Sequence, residues 1–154
     1  MIKQLMGSVA LSQFRMQTLL KQCQTICARI TEISVHFVHL VELEHSLSTA
    51  EEEILTQLLH YGSTRSVKSL TGTSYFVVPR FGTQSPWSSK ATDIARNCEL
   101  TAVKRIERGQ YYVLAHTQQP TLTEKQALQN ILYDPLTQII LDGDNAGFSI
   151  RNIA

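Results

Sequence analysis

The chain repeats itself at a fixed spacing. The interval from Leu59 to Leu132 recurs between Ile54 and Ala127, Leu55 and Leu128, and Leu58 and Ile131. Ser12/Ser85, Phe14/Trp87, Ile30/Val103 and Ile33/Ile106 share it too. Any two units with the same element order align in part, but one offset running through helices, caps and strands favours an internal duplication. Each copy of about 70 residues is then a small α/β unit that buries one face.

The elements recur in the same order. Residues 1–6 read as a short strand and Ala10–Cys27 as a helix, with Met16, Leu20, Cys23 and Cys27 forming one apolar stripe beside Leu19 and Ile26. From Ile30 to Leu43 the period changes. Ile33, Val35, Phe37, Val41 and Leu43 alternate with Ser34, His36 and Glu42, as in a long strand. Val38 and Leu40 break the alternation, so its middle is expected to be covered on both faces. Ser48-Thr49-Ala50-Glu51 is a capping box opening a helix with Ile54, Leu55, Leu58 and Leu59, and Gly62 is its expected stop before a polar loop over Ser63–Thr73.

The second copy places a strand at Tyr75–Val78, a helix at Pro86–Cys98 and a strand at Val103–Ala115, interrupted near Gly109. A capping box at Thr123-Glu124-Lys125-Gln126 opens the last helix. Measured from the first box it overshoots the repeat offset, a slip of two, and Pro135 ends its helix after Asp134. Thr137–Leu141 reads as one more strand, Asp142-Gly143-Asp144-Asn145 as a turn, and residues 146–154 as a disordered end.

The expected fold is α/β of the α+β type: a two-layer sandwich of duplicated β-α-β-α-β-like units. Their antiparallel sheets are shared or abutting, with helices on one side. One domain is expected over residues 1–142, in halves of about 1–72 and 73–142, with 143–154 a tail or the start of a linker.

Composition narrows the function. A net charge of +1 offers no electrostatic case for nucleic acid or an anionic membrane as partner. No apolar run approaches the ~18 residues of a membrane span. The N-terminal stretch Met1–Gly7 is too short and mixed for a signal peptide. Cys23, Cys27 and Cys98 are an odd count without secretory context, read as reduced thiols of a cytoplasmic protein. Cys23 and Cys27 fall on the apolar stripe as core thiols, and no matching ligand pair suggests a metal. His36 and His39 sit on opposite faces of their strand, so they cannot serve one site; they are expected to be solvated or at an interface. Glu51–Glu53 are explained by the helix dipole, and no nucleophile elbow or phosphate loop occurs. No catalytic or cofactor residue is assigned.

The most specific segment is Gly82-Thr83-Gln84-Ser85-Pro86-Trp87-Ser88-Ser89-Lys90-Ala91-Thr92-Asp93-Ile94-Ala95. Ser85 is a good N-cap and Pro86 suits the first helical position. Ala91, Ile94 and Ala95 begin an apolar face. Backbone N–H groups at the helix start, Ser88, Ser89, Lys90 and nearby Arg80 have the chemistry to hold a phosphate or carboxylate. Alternatively they cap the helix and contact another domain. The candidates for anion binding or docking are Arg80, Thr83, Ser85, Trp87, Ser88, Ser89, Lys90, Thr92 and Asp93.

This segment resembles the N-terminal region of the large single-chain phosphoribosylformylglycinamidine synthases. Gly7-Ser8-x-Ala10-Leu11-Ser12-x-Phe14-Arg15, Leu47-Ser48-x-Ala50-Glu51, Pro79-Arg80, Asn97-Cys98 and Ile106-Glu107-Arg108-Gly109 with Tyr111-Tyr112 extend the likeness over most of the chain. The resemblance implies a domain similar to a fused dimer of the small scaffold subunit of the multi-subunit enzymes. It also implies the partners: the glutaminase and synthetase parts of the same ligase. That ligase uses ATP and magnesium at residues beyond this chain. Asp134-Pro135-Leu136 departs from the large-enzyme pattern and is more like the small subunit. A homo-oligomer is expected if the chain stands alone. The alternative is a sensing module that binds a nucleotide or phosphate between its halves.

Overall fold

A computed structural model describes residues 2–60, 70–80 and 84–143. In chain order these form β1 (Ile2–Val9), α1 (Gln13–Ile26), β2 (Ile30–Leu43), α2 (Thr49–Leu58) and β3 (Thr73–Pro79). They continue with α3 (Pro86–Asn97), β4 (Val103–His116), α4 (Leu122–Leu132) and β5 (Gln138–Asp142). The described strands make one antiparallel sheet in the order β1-β2-β4-β3-β5. The halves therefore share a sheet rather than abutting as two, and the fold is α+β as expected.

The two long strands sit side by side at the centre. Both ends of β4 follow those of β2 by the repeat offset, and α3 and α4 start at the same offset from α1 and α2. Phe37 pairs with Gln110, its own repeat equivalent, so an approximate twofold axis passes between them. Even the irregular ends of the pairing exchange: Ile30 meets His116, and Leu43 meets Val103. The outer strands obey a different offset. Leu5 pairs with His39 and Tyr75 with Tyr112; the inner partners keep the repeat offset, while the outer ones fall three short of it. The difference is taken up between strand and helix: residues 10–12 join β1 to α1, but 80–85 join β3 to α3.

All four described helices cover one face of the sheet. Cys23, Cys27, Tyr75, Leu114, Leu128 and Leu132 centre one cluster, packed by α1 and α4. Leu55, Leu59, Ala95, Leu100, Val103 and Ile106 centre the other, packed by α2 and α3. The equivalents Leu55 and Leu128 are fully buried, one in each cluster. Val38, Leu40, Phe76 and Val78 form a third buried cluster on the opposite face, so the middle of β2 is covered on both sides. Desolvation raises the Cys23 thiol to about 11, as fits a core thiol.

Several local expectations are corrected. The capping box of α4 uses Thr121 and Glu124, not Thr123: Thr121 Oγ1 accepts from the Glu124 N–H, and Glu124 Oε1 accepts from the Thr121 N–H. Thr121 and Glu124 stand at the repeat offset from Ser48 and Glu51, so the slip of two vanishes. β4 runs unbroken through Gly109, where a Cβ would lie 2.7 Å from the Val77 carbonyl oxygen and the Val78 Cγ1. Close strand packing, not an interruption, requires that glycine. β1 extends to Val9, and α4 ends at Leu132, two residues before Asp134. His36 and His39 are buried rather than solvated. The expected stop at Gly62, most of the polar loop after it, and the end from residue 144 lie outside the described residues.

Candidate functional site

The segment around Ser85 builds α3 as expected at its start. Ser85 Oγ accepts from the Ser88 N–H at 3.0 Å, and Pro86 occupies the first turn. The buried face differs from the expected Ala91-Ile94-Ala95. Ser88 is 0% exposed, Thr92 4% and Ala95 0%, while Ile94 is 41% exposed. These three buried positions follow the four-then-three spacing of one helix face.

Two hydroxyls face the sheet because β4 has an edge to satisfy. β3 pairs with β4 only from Thr73↔Leu114 to Val77↔Gln110, so the first half of β4 runs on without it. There α3 takes the place of a strand. The Ile106 N–H donates to Thr92 Oγ1 at 3.1 Å, and Ser88 Oγ donates to the Ile106 carbonyl at 2.5 Å. Thr92 also donates to the Ser88 carbonyl at 2.8 Å. Buried backbone groups need partners, and these two side chains supply them.

Polar contacts extend around the helix start. Ser85 Oγ donates to Glu107 Oε1 at 3.2 Å. Glu107, 4% exposed, also accepts from Arg105 at 2.9 Å and from the Arg108 N–H. Its charge is therefore matched by a guanidinium and a backbone dipole. Trp87 turns inward. Its ring stacks on His39 with centroids 5.8 Å apart, and the Arg108 guanidinium lies 4.6 Å from its centroid and 4.5 Å from that of Phe37. An arginine held between two aromatic faces is a favourable cation–π arrangement. His39 is 1% exposed. Burial, and then the positive charge of Arg108, push its imidazole down to about 4, against a hydrogen bond with the Leu5 backbone. Gly7 makes room for it: a Cβ there would fall 2.7 Å from His39 Cε1.

The candidate residues thus divide three ways. Ser85, Ser88 and Thr92 are engaged in fixing α3 to β4. Ser89, Lys90 and Asp93 are exposed on the outer face of the helix. Between the two faces, Trp87, Lys90, Ala91 and Ile94 line one side of a groove of about 300 Å³, closed by Leu58 and Leu59 at the end of α2 and by Ile106. Arg80 is tied elsewhere: its Nε and Nη2 both donate to the Pro135 carbonyl in the α4–β5 turn. Thr83 lies outside the described residues. Sequence reasoning placed His39 in solvent or at an interface and counted the leucines of α2 as its apolar positions, and it put none of them, nor Arg108 or Glu107, in the candidate site. The signal for His39 and Arg108 is their register, visible once the strands are paired about Phe37 and Gln110.

Among the described residues no group of three or more His, Cys, Asp or Glu is placed to hold a metal ion. No described helix is long and apolar enough to cross a membrane.

A duplicated α+β layer, with its two copies joined through the central strands and a helix fastened to the open edge of one of them, defines the structural class. Residues 36–147 match the family model of the formylglycinamide ribonucleotide amidotransferase N-terminal domain. The match covers more than half of the chain, which belongs to that family.

Proposed function

We propose that this chain is the non-catalytic scaffold part of a formylglycinamide ribonucleotide amidotransferase, the ATP- and glutamine-dependent ligase that makes formylglycinamidine ribonucleotide in purine synthesis. It docks the glutaminase and synthetase parts in the cytoplasm so that ammonia passes between them without loss to water. ATP and magnesium belong, on this reading, to the synthetase part. Family membership supports the setting. The observation that carries the scaffold role is the division of work on α3. Its inner face is committed to Ile106 through Ser88 and Thr92, which makes it a rigid mount. Its outer face leaves Ser89, Lys90, Asp93 and Ile94 exposed.

The test mixes this chain with the ligase lacking its N-terminal domain and measures glutamine-dependent amidation. Restored turnover in trans is the expected result. If the folded chain neither binds the truncated enzyme nor restores turnover, the scaffold reading fails. Lys90→Ala should leave folding intact and weaken docking or coupled turnover.

A further inference from the structure

The two outer strands of the sheet, β1 and β5, differ in how their free backbone is closed. Ile106 turns both its N–H and its carbonyl towards α3, so its pair with Val41 exchanges no hydrogen bonds, and Val41 turns its own groups towards β1. The register is regular from Val41 to Val38, so His39 does the same. Their β1 partners Lys3 and Leu5 therefore bond inward. Ile2, Gln4 and Met6 alternate with them and turn their N–H and carbonyl groups outward. Among the described residues no strand lies beyond them. The irregularity between Met6 and Val9 ends this run. On β5 the Gly143 N–H bonds inward to the Ser74 carbonyl, so Gln138, Ile140 and Asp142 turn outward. That edge is guarded: the Gln138 N–H is taken by the Asp134 carbonyl, and Asp142 puts a carboxylate at the other end. The β1 edge has no proline and no acid, and the ammonium of Lys3 is held by Glu52. Gln4 is exposed, and Met6 is 58% exposed.

We propose that β1 pairs antiparallel with β1 of a second copy of this chain, about a twofold axis at Gln4, so that the two sheets run on as one. This register uses every outward group: Ile2 of each copy exchanges bonds with Met6 of the other, and Gln4 meets Gln4. Moving the axis to Leu5 leaves Ile2 facing the irregular stretch after Met6. The side chains agree with the choice. On the face away from the helices Ile2 lies across from Met6, and the two Gln4 amides meet at the axis, where each donates to and accepts from the other. On the helix face Lys3 lies across from Leu5. Its aliphatic stem covers that leucine while the ammonium stays with Glu52. No like charges meet. Any extended strand would satisfy the backbone groups, but a second copy supplies all of these pairs from one surface. The contact goes beyond the scaffold reading and does not depend on it.

Sedimentation velocity of the full chain from about 10 to about 500 µM reads the association; one strand pair is a small interface, so a weak dimer is expected. Gln4→Lys and Gln4→Glu each set like charges opposite one another at the axis, and each should weaken the dimer about tenfold at low salt. An equimolar mixture of the two sets opposite charges there and should restore association. Met6→Pro removes an outward N–H without touching a bond to β2, and it should leave a folded monomer. Circular dichroism and thermal unfolding establish that each variant is folded. Hydrogen exchange gives a second reading. The Gln4 and Met6 amides should become protected as concentration rises, while the Leu5 amide is protected throughout. A chain that stays monomeric at the highest concentration overturns the proposal. So does a dimer that all three variants leave within about twofold of the unaltered chain, and so does a mixture of Gln4→Lys and Gln4→Glu that fails to associate.

Discussion

Helices α1 and α3 begin at equivalent positions, yet they meet the sheet in different ways. Helix α1 lays Met16, Leu20 and Cys23 on the core and ends with Cys27 buried beyond it. Its residues equivalent to Ser88 and Thr92 are Arg15 and Leu19, which have no hydroxyl to offer a strand edge. A second groove of about 260 Å³ opens between α1 and β2, lined by Met16, Leu20 and Ile33. Ile33 is the repeat equivalent of Ile106. Helix α1 reaches β2 by one polar bond at the start of the strand, Gln24 Nε2 donating to the Ile30 carbonyl at 2.9 Å, whereas α3 holds both the N–H and the carbonyl of Ile106. The same backbone plan supports paired hydroxyls on a strand edge in one half and a mainly apolar contact in the other. The lesson is that buried hydroxyls on a helix can mark the place where it substitutes for a missing strand.

The largest effects should come from what the halves hold in common. Leu55→Ala and Leu128→Ala remove equivalent side chains from the two clusters, and each should cost about 2–5 kcal/mol in urea unfolding. The exposed partners of the same helices, Ile54 and Ile131, should cost much less. If Leu55→Ala were nearly silent while Leu128→Ala was severe, the α2–α3 layer would be loosely attached and the equivalence of the halves would hold for the backbone alone.

Next come two pH limbs at one pair of equivalent positions. His39 and Tyr112 are repeat equivalents, and both are buried. Burial, helped by Arg108, lowers His39 to about 4, while burial, with a smaller effect from Cys23, raises Tyr112 to about 12. On acidification the unfolded chain takes up a proton near pH 6.5, but folded His39 resists until about 4. Stability is therefore present above pH 6.5 and lost between those values, by about 3 kcal/mol. On the alkaline side the unfolded tyrosine ionises first. Stability is then lost as pH rises from 10 to about 12, by a similar amount. His39→Gln should lessen the acid limb and Tyr112→Phe the alkaline one, part of which remains because burial also raises Cys23, to about 11, and Tyr75. Burial also lowers His36, so some acid dependence should survive His39→Gln.

Thr92→Val tests the attachment of α3 directly. The substitution keeps shape and removes the acceptor of the buried Ile106 N–H. An unsatisfied buried donor should cost about 1–3 kcal/mol. Arg15→Ala, at the position equivalent to Ser88, should stay within about 0.5 kcal/mol because that side chain is exposed. Equal costs would mean that the polar attachment contributes nothing beyond packing.

The reason the attachment was hidden in the sequence is itself structural. Long strands, caps and the repeat spacing are local patterns, and each was readable. Ser88 and Thr92 look like solvent-facing residues because their type is polar. Only the early end of the β3 ladder at Val77↔Gln110 makes a hydroxyl useful at the core. His39 and Arg108 likewise meet through strand register, which joins residues far apart in the chain. The misplaced α4 cap has a different cause. Both Thr121 and Thr123 fit a capping-box spacing, with Glu124 and Gln126 respectively. The duplication already contained the answer, since the repeat spacing applied to Ser48 lands on Thr121.

The smallest contrast separates two equivalent caps. Ser12 Oγ accepts from the Arg15 N–H at 3.2 Å, and Ser85 Oγ accepts from the Ser88 N–H at 3.0 Å. Ser12→Ala should therefore cost about 1 kcal/mol, an ordinary N-cap loss. Ser85 does more, because its hydroxyl also donates to the buried carboxylate of Glu107. Ser85→Ala should cost the cap plus part of a charge-assisted bond, about 2 kcal/mol in all. Ser85→Asp separates the two contributions. It can still cap the helix, but it places a second carboxylate beside Glu107, so it should rescue little at neutral pH. Full rescue by Ser85→Asp would show that Glu107 is indifferent to its neighbour. The cap of α3 would then be no different from that of α1, and the asymmetry between the halves would rest on Ser88 and Thr92 alone.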